Sequence, residues 1–441
     1  MLLVYSLLLT LGFLLMLPLF LLRREKYASG FKQRIGNYPE FNHDGRKVIW
    51  LHCVSVGETN AARPLVDQLI EAFPDHRLVI STTTKTGQQL AQKIFAGKAE
   101  AVFYFPFDWK FSVRKALATY KPSLVLLMET EIWPRFVSEA KLSGAKVAFV
   151  NGRLSQRSFR RYSKARPFIK RILADVDLAL MQGERDANHM ISLGMAASRS
   201  HVTGNLKFDI SNSEVDRSLV DYFKGRYGID STVFTIVAAS THLPEEKYTL
   251  DAYSNLRSQN PETKFKLIIA PRHPERFGQV TDICREFCEK KNLQFRKRSS
   301  PFANEDVEAG VVLLDTIGEL RSIYLTADVV IVGGSMVPHG GQSVLEPASL
   351  GKPILIGPFT HNFDSVIDIF LENDALIQYP DTELTIPFSD WLSEEIDWLF
   401  RHQDRSRKLS SNATKAMEEN RGATVKTVDF LKPLLSEQTG S

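Results

Sequence analysis

The sequence predicts an α/β protein of two open parallel-sheet domains facing each other across a cleft, preceded by a single apolar helix. Three observations predict it. Short runs rich in Val, Ile, Leu and Ala recur between helical stretches in both halves, residues 207–231 separate the halves with polar chain, and residues 1–22 carry no charge. Near-continuous apolar strands between helices are those of parallel sheets covered on both faces.

Residues 1–22 are almost entirely apolar, with Pro18 the one strong interruption, and Arg23, Arg24 and Lys26 follow directly. About 20 such residues in a helix match the ~30 Å hydrocarbon core of a bilayer. Positive charge behind the span puts the body on the cytoplasmic face of an inner membrane. A cleaved signal peptide would want a basic start and a small-residue cleavage site, and neither is present. Whether the helix crosses or sits in one leaflet stays open.

Strands are expected at 48–54, 77–82, 101–105, 124–128, 146–150 and 178–181 in one domain (23–210). The other domain (231–430) has them at 233–238, 264–269, 311–314, 329–332 and 353–356. In such sheets ligands bind beyond the carboxyl ends of the strands, where the strand order reverses.

Composition narrows the class. A net charge of +4 over 441 residues does not by itself suggest a nucleic-acid binder, and no RNA-reading motif is present. The three cysteines, Cys53, Cys284 and Cys288, form no disulfide framework and read as buried or free thiols. Neither Gly-x-Gly-x-x-Gly after a strand nor a P-loop is present, so a dehydrogenase or an ATPase is disfavoured. Asp175-x-Asp177 precedes an apolar run and reads as a helix-to-strand turn rather than a metal site.

In the first half, 48–58 reads as a strand, a tight loop at Gly57 and a helix, which puts Glu58 at the carboxyl edge of the sheet. A carboxylate there can take a proton from a hydroxyl nucleophile, or it can stabilise the helix N-terminus. Glu129 and Glu131 end the strand 124–128. Alternation along a strand lets only one of the two reach a site. Lys207 closes the half at the domain junction, where it can offer a cation to the cleft.

In the second half three loops follow strands: 270–276 with Pro271 and Arg272, 315–320 with Ile317, Gly318 and Glu319, and the glycine-rich 333–347. A helix starting near Gln342-Ser343 would offer free N–H groups to a phosphate, and Glu346 would lie one turn in. Ser343-Val344-Leu345-Glu346 also fits a capping box. Arg272 suits a phosphate through paired hydrogen bonds. No carboxylate cluster suits a metal, so none is expected.

Ser55-Val-Gly-Glu58, Met128-Glu-Thr-Glu-Ile-Trp-Pro134, Asn151-Gly-Arg-Leu-Ser155, Gly204-Asn-Leu-Lys-Phe-Asp209, Pro271-Arg-His-Pro-Glu-Arg-Phe277 and Leu345-Glu-Pro347 occur in this order. Together they resemble the 3-deoxy-D-manno-octulosonate (Kdo) transferases of lipopolysaccharide synthesis. The resemblance implies the two-Rossmann arrangement called GT-B, CMP-Kdo as donor substrate rather than a bound cofactor, and lipid IVA, the lipid A precursor, as acceptor. It implies that Glu58 is the general base of an inverting transfer and that Glu129 and Lys207 stabilise the transition state. It further implies that Pro271, Arg272, Ile317, Gly318, Glu319, Ser343, Val344, Leu345 and Glu346 hold CMP.

The chain departs from the family's Gly-Gly-His-Asn at Gly340-Gly341-Gln342-Ser343, which is where donor choice could have moved. Another CMP- or UDP-sugar transferase on the same fold, or a non-catalytic assembly scaffold, are the rival readings. Between Arg153 and Arg171 stand eight Lys/Arg and no acid, interleaved with Phe159, Tyr162 and Phe168. With Arg23, Arg24, Lys26, Lys32 and Arg34 these would form a positive face toward an anionic membrane surface or the phosphates of the acceptor. A solvated helix face is the plain alternative.

Overall fold

The computed structural model describes residues 1–22, 29–212, 215–380 and 383–436. The chain forms two compact units: 1–210 together with 420–441, and 211–419. The helix Leu2–Leu22 belongs to the first.

The first unit holds seven parallel strands. They are β1 Lys47–Cys53, β2 His76–Thr82, β3 Ala101–Tyr104, β4 Pro122–Met128, β5 Lys146–Gly152, β6 Leu178–Met181 and β7 Ser200–Val202, in the order β3-β2-β1-β4-β5-β6-β7. The order reverses between β1 and β4. Alternation sorts the central strands onto two cores. Val48 and Trp50 join Val125, Leu127 and Phe149 on one face; Ile49, Leu51 and Cys53 join Leu124, Leu126 and Met128 on the other. This is why 48–51 of β1 and 124–128 of β4 read as unbroken apolar runs.

The second core is closed by the end of the chain. The helix Ala423–Ser436 sets Ala423, Val428, Leu431 and Leu435 against Leu65 and Leu69. Asp209 pins its start, accepting from Gly422 N (2.8 Å), Thr424 N (2.7 Å) and Thr424 Oγ1 (2.6 Å). The expected second domain, 231–430, therefore differs from the compact unit at both ends. The helix Arg217–Tyr227 joins the second unit through buried Phe223 and Tyr227, and 420–436 returns to cover an apolar sheet face of the first.

The second unit repeats the plan with β8 Val233–Thr241, β9 Lys264–Pro271, β10 Phe295–Lys297, β11 Val311–Leu313, β12 Val329–Val332, β13 Ile354–Ile356 and β14 Ile377–Gln378. Their order is β10-β11-β9-β8-β12-β13-β14, reversing between β8 and β12. The strands β7, β10 and β14 escape the sequence reading because each is short and carries half-buried or exposed residues. Cys53, Cys284 and Cys288 are free and buried. Asp177 accepts from Lys141 Nζ (2.7 Å) and Val147 N (2.9 Å), so Asp175-x-Asp177 is a structural turn.

Candidate active site

The reversal point of the first sheet carries a cluster of acids. Beyond β1, Ser55 caps the short helix Val56–Ala61, and Glu58 turns back over the cap. One carboxylate oxygen accepts from Val54 N at 2.8 Å and the other from Ser55 Oγ at 3.1 Å. The side chain thus does stabilise the helix start, and those same bonds fix its aim. Glu58 is 7% exposed. Burial, and next to it the charge of Glu129, raise its pKa to about 8, against the two hydrogen bonds.

Beyond β4 the chain leaves the extended conformation at once: Glu129 has φ 53° and Thr130 φ 68°. Two successive non-glycine residues in this region cost on the order of 1–2 kcal/mol each and are held only by their surroundings. The expectation that only one of Glu129 and Glu131 reaches the site rested on strand alternation, which ends at Met128. Both carboxylates act on Glu58, and the Glu131 pKa is itself raised by burial and by Glu129.

Lys207 Nζ stands 3.9 Å from Glu129 Oε1, with 14% of its side chain exposed. Its loop hangs on three amides: Asn151 and Asn205, which stand in the motif blocks 151–155 and 204–209 without a role given to them, and Gln182, which the sequence did not single out. Asn205 Oδ1 accepts from Lys207 N (3.0 Å), Asn205 Nδ2 donates to Gln182 (3.1 Å), and Asn151 Oδ1 accepts from Leu206 N (2.9 Å). Asn151 and Gln182 stand at the ends of adjacent strands; an amide directly behind an apolar run is the signal that would have pointed to this role. The structure brings Glu58, Glu129, Glu131 and Lys207 together in one unit.

The basic stretch folds as the helices Gln156–Lys164 and Arg166–Leu173. Arg157, Arg160, Arg161 and Lys164 line one open depression, while Phe159, Tyr162 and Phe168 pack against the core. Tyr162 lies close enough to Glu131 to feel its charge. Arg34 does not join this face. It turns inward, donating to Ser29 O and Thr83 O, with its guanidinium 4.8 Å from the Tyr104 ring centre. Arg23, Arg24 and Lys26 lie outside the described residues.

In the second unit the loops behind β8, β9, β11 and β12 share the carboxyl edge. Arg272 is exposed; its Nε donates to Gln342 Oε1 (3.1 Å), and Gln342 Nε2 lies 3.4 Å from His242 Nε2. Burial, then the neighbouring His339 and His273, lower the His242 pKa to about 4. A neutral His242 can therefore accept from the Gln342 amide. Pro271 ends β9 half-buried; Ile317 is 78% exposed beside Gly318 at φ 92°, and Glu319 is held by Arg298 at 2.9 Å.

Two expectations for the glycine-rich loop are corrected. Its first N–H groups are already taken by Glu245, a fully buried carboxylate that accepts from Gly334 N (2.7 Å), Ser335 N (3.1 Å), Met336 N (2.9 Å) and His242 N (2.8 Å). Gly333 serves this packing: a Cβ there would stand 2.6 Å from Ser240 O. The helix begins at Leu345 rather than at Gln342-Ser343, without a side-chain cap. Ser343 Oγ instead accepts from Leu345 N at 3.4 Å, and Val344 and Leu345 are buried, leaving backbone for a ligand. Glu346 is half-buried, its pKa raised by burial and opposed by Arg321 and Arg272. Among the described residues no three His, Cys, Asp or Glu are grouped as metal ligands.

A family model described as 3-deoxy-D-manno-octulosonic-acid transferase (kdotransferase) matches residues 29–210, which include Glu58, Glu129 and Lys207. The 3-deoxy-D-manno-octulosonic acid transferase of Haemophilus influenzae is 30% identical over 414 residues, 94% of this chain and 93% of its own. That of Bordetella pertussis is 31% identical over 394 residues, 88% and 87% of the two chains. A glycosyltransferase structure from Rickettsia africae superposes with a TM-score of 0.57 at 12% identity, over 90% of this chain and all (100%) of its own, which is a likeness of fold. On the match to the Haemophilus enzyme along nearly its full length, this protein belongs to the 3-deoxy-D-manno-octulosonic acid transferase family, glycosyltransferases of the GT-B fold.

Proposed function

We propose that the protein transfers Kdo from CMP-Kdo to lipid IVA with inversion at the anomeric carbon, Glu58 acting as general base. The observation that carries this is the state of Glu58: buried, aimed by Val54 N and Ser55 Oγ, and raised to about 8 by burial and Glu129. A carboxylate of that basicity takes a proton from a sugar hydroxyl far more readily than one of ordinary pKa. The acceptor hydroxyl gives its proton to Glu58 as its oxygen attacks the Kdo anomeric carbon, and the CMP phosphate leaves with the bonding pair. Lys207, beside Glu129, supports the charge that builds up.

CMP is held by Arg272 through its phosphate and by the backbone of Ile317–Glu319 and Ser343–Glu346, with Pro271 shaping the loop. Because Glu245 fills the start of the glycine-rich loop, the phosphate falls to Arg272 and the later N–H groups. The reading calls for no metal. In this reading the enzyme sits at the inner membrane with its body in the cytoplasm, which the single apolar helix supports, and the cations of 153–171 meet the anionic surface or the acceptor's phosphates; no nucleic-acid partner is called for.

The test supplies lipid IVA in detergent and CMP-Kdo generated in the assay, and resolves products by mass and the new linkage by NMR. A gain of one or more Kdo masses with an inverted anomeric centre supports the reading. CMP binding without product overturns the acceptor, and retained configuration overturns the mechanism.

A further inference from the structure

The helix Leu2–Leu22 is held along its first half by the unit that carries Glu58. Arg135, itself buried, donates to Leu2 O and to Ser6 Oγ, each at 3.0 Å. Tyr5 OH donates to buried Asp108 at 2.8 Å, and Trp109 Nε1 donates to Thr10 Oγ1 at 3.1 Å. The Phe13 ring meets Trp109 and Phe107 edge-on at 5.0 and 5.7 Å. Residues 2, 5, 6, 10 and 13 lie on one helix face, and the contacts run from Leu2 to Phe13, about 17 Å of helix axis.

A helix that crosses a bilayer carries its far end about 30 Å from the surface on which the body rests. Leu2 cannot stand in the far leaflet while its carbonyl takes a hydrogen bond from Arg135. The opposite face, Leu3, Val4, Leu7, Leu8, Leu11, Leu14 and Leu15, is 53–82% exposed. A helix lying in a membrane surface needs a polar side as well as an apolar one. Here the protein body supplies that side, through Arg135, Asp108 and Trp109. Next to it Tyr5 touches Phe168 (ring centres 6.1 Å apart), in the basic stretch whose preceding helix lines its depression with Arg157, Arg160, Arg161 and Lys164. Apolar face and neighbouring cations together fit the acyl chains and anionic headgroups of a single leaflet.

We propose that the amino-terminal helix does not span the membrane: it lies in the plane of one leaflet, docked on the catalytic unit, and seats that unit on the lipid surface. This rests on the membrane-bound reading above. Arg135 follows the turn of Glu129 and Glu131 by a few residues, so the docking that seats the helix also brings the acid cluster to the leaflet from which a lipid acceptor arrives.

The test uses the full chain in cells, with one cysteine in a short tag ahead of Met1 and, separately, Lys290→Cys on the body. The native cysteines are buried. A membrane-impermeant maleimide is applied to spheroplasts and to inside-out vesicles. Both cysteines should react from the same side; reaction from opposite sides overturns the proposal. Nitroxides at Leu8 and Leu15, in vesicles containing phosphatidylglycerol, should report equal, shallow depths. Depths differing by most of the hydrocarbon thickness overturn it, and so do labels left in water or covered by a second copy. Neither labelling needs turnover, so failure of the transferase reading is scored separately by the Kdo assay.

Discussion

Replacing Glu58 by Gln should make the protein more stable at high pH while leaving it nearly unchanged at low pH. In the folded chain the Glu58 pKa is raised to about 8, by burial first and Glu129 second, whereas an unfolded glutamate titrates near its ordinary value. A carboxyl raised on folding contributes stability that is complete below its unfolded pKa and lost as pH rises through the folded one. The window is therefore about pH 4.5 to 8, at ~1.4 kcal/mol per pH unit. That sets an upper bound on the order of 5 kcal/mol, reduced because Glu129 and Glu131 share the titration. Gln keeps an acceptor for Val54 N and a partner for Ser55 Oγ, so the helix cap survives. Apparent Tm of both proteins, measured from pH 5 to 9 in one detergent, should diverge progressively, the variant ahead by several degrees above pH 8. A difference that does not change with pH, or a variant that falls behind at pH 9, would refute the assigned burial of this charge.

Three further outcomes are expected. Glu129→Gln removes a negative charge facing Glu58, so the rising limb of the kcat/KM–pH profile should move to lower pH; an unmoved limb contradicts the coupling. Arg272→Ala should weaken CMP binding by roughly 10–100-fold in calorimetry, with Arg272→Lys restoring little, because a guanidinium makes paired bonds that an ammonium cannot. Glu245→Ala strands four buried N–H groups, those of His242, Gly334, Ser335 and Met336. At about 1–3 kcal/mol for an unsatisfied buried group, it should destabilise the second unit by ~3 kcal/mol or more and abolish donor binding, seen as early denaturant unfolding and lost CMP affinity.

The parallel sheets were legible because central strands buried on both faces are apolar almost throughout, as 48–51 of β1 and 124–128 of β4 are. Glu58 was legible as a lone acid just beyond such a strand. What the sequence hid is long-range. That 423–436 returns to the first sheet depends on Asp209, over two hundred positions away, and a bond of that span leaves no periodicity. Glu245 stands in the first turn of the helix Glu245–Gln259, yet three of its four N–H partners, Gly334, Ser335 and Met336, come from a loop about ninety positions on, and no local pattern announces them. The turn at Glu129-Thr130 was misjudged because strand geometry was carried past Met128, where the backbone switches to positive φ. Ser343 and Glu346 had capping-box spacing, but the helix starts too late to use it.

The central claim, that Glu58 takes the acceptor's proton, is tested most directly by turnover of Glu58→Gln with CMP-Kdo and lipid IVA at pH 8, scored by product mass. A fall of roughly 100- to 10,000-fold in kcat, with CMP affinity unchanged, is the expected result for loss of a general base. Turnover near that of the unmodified protein would contradict it.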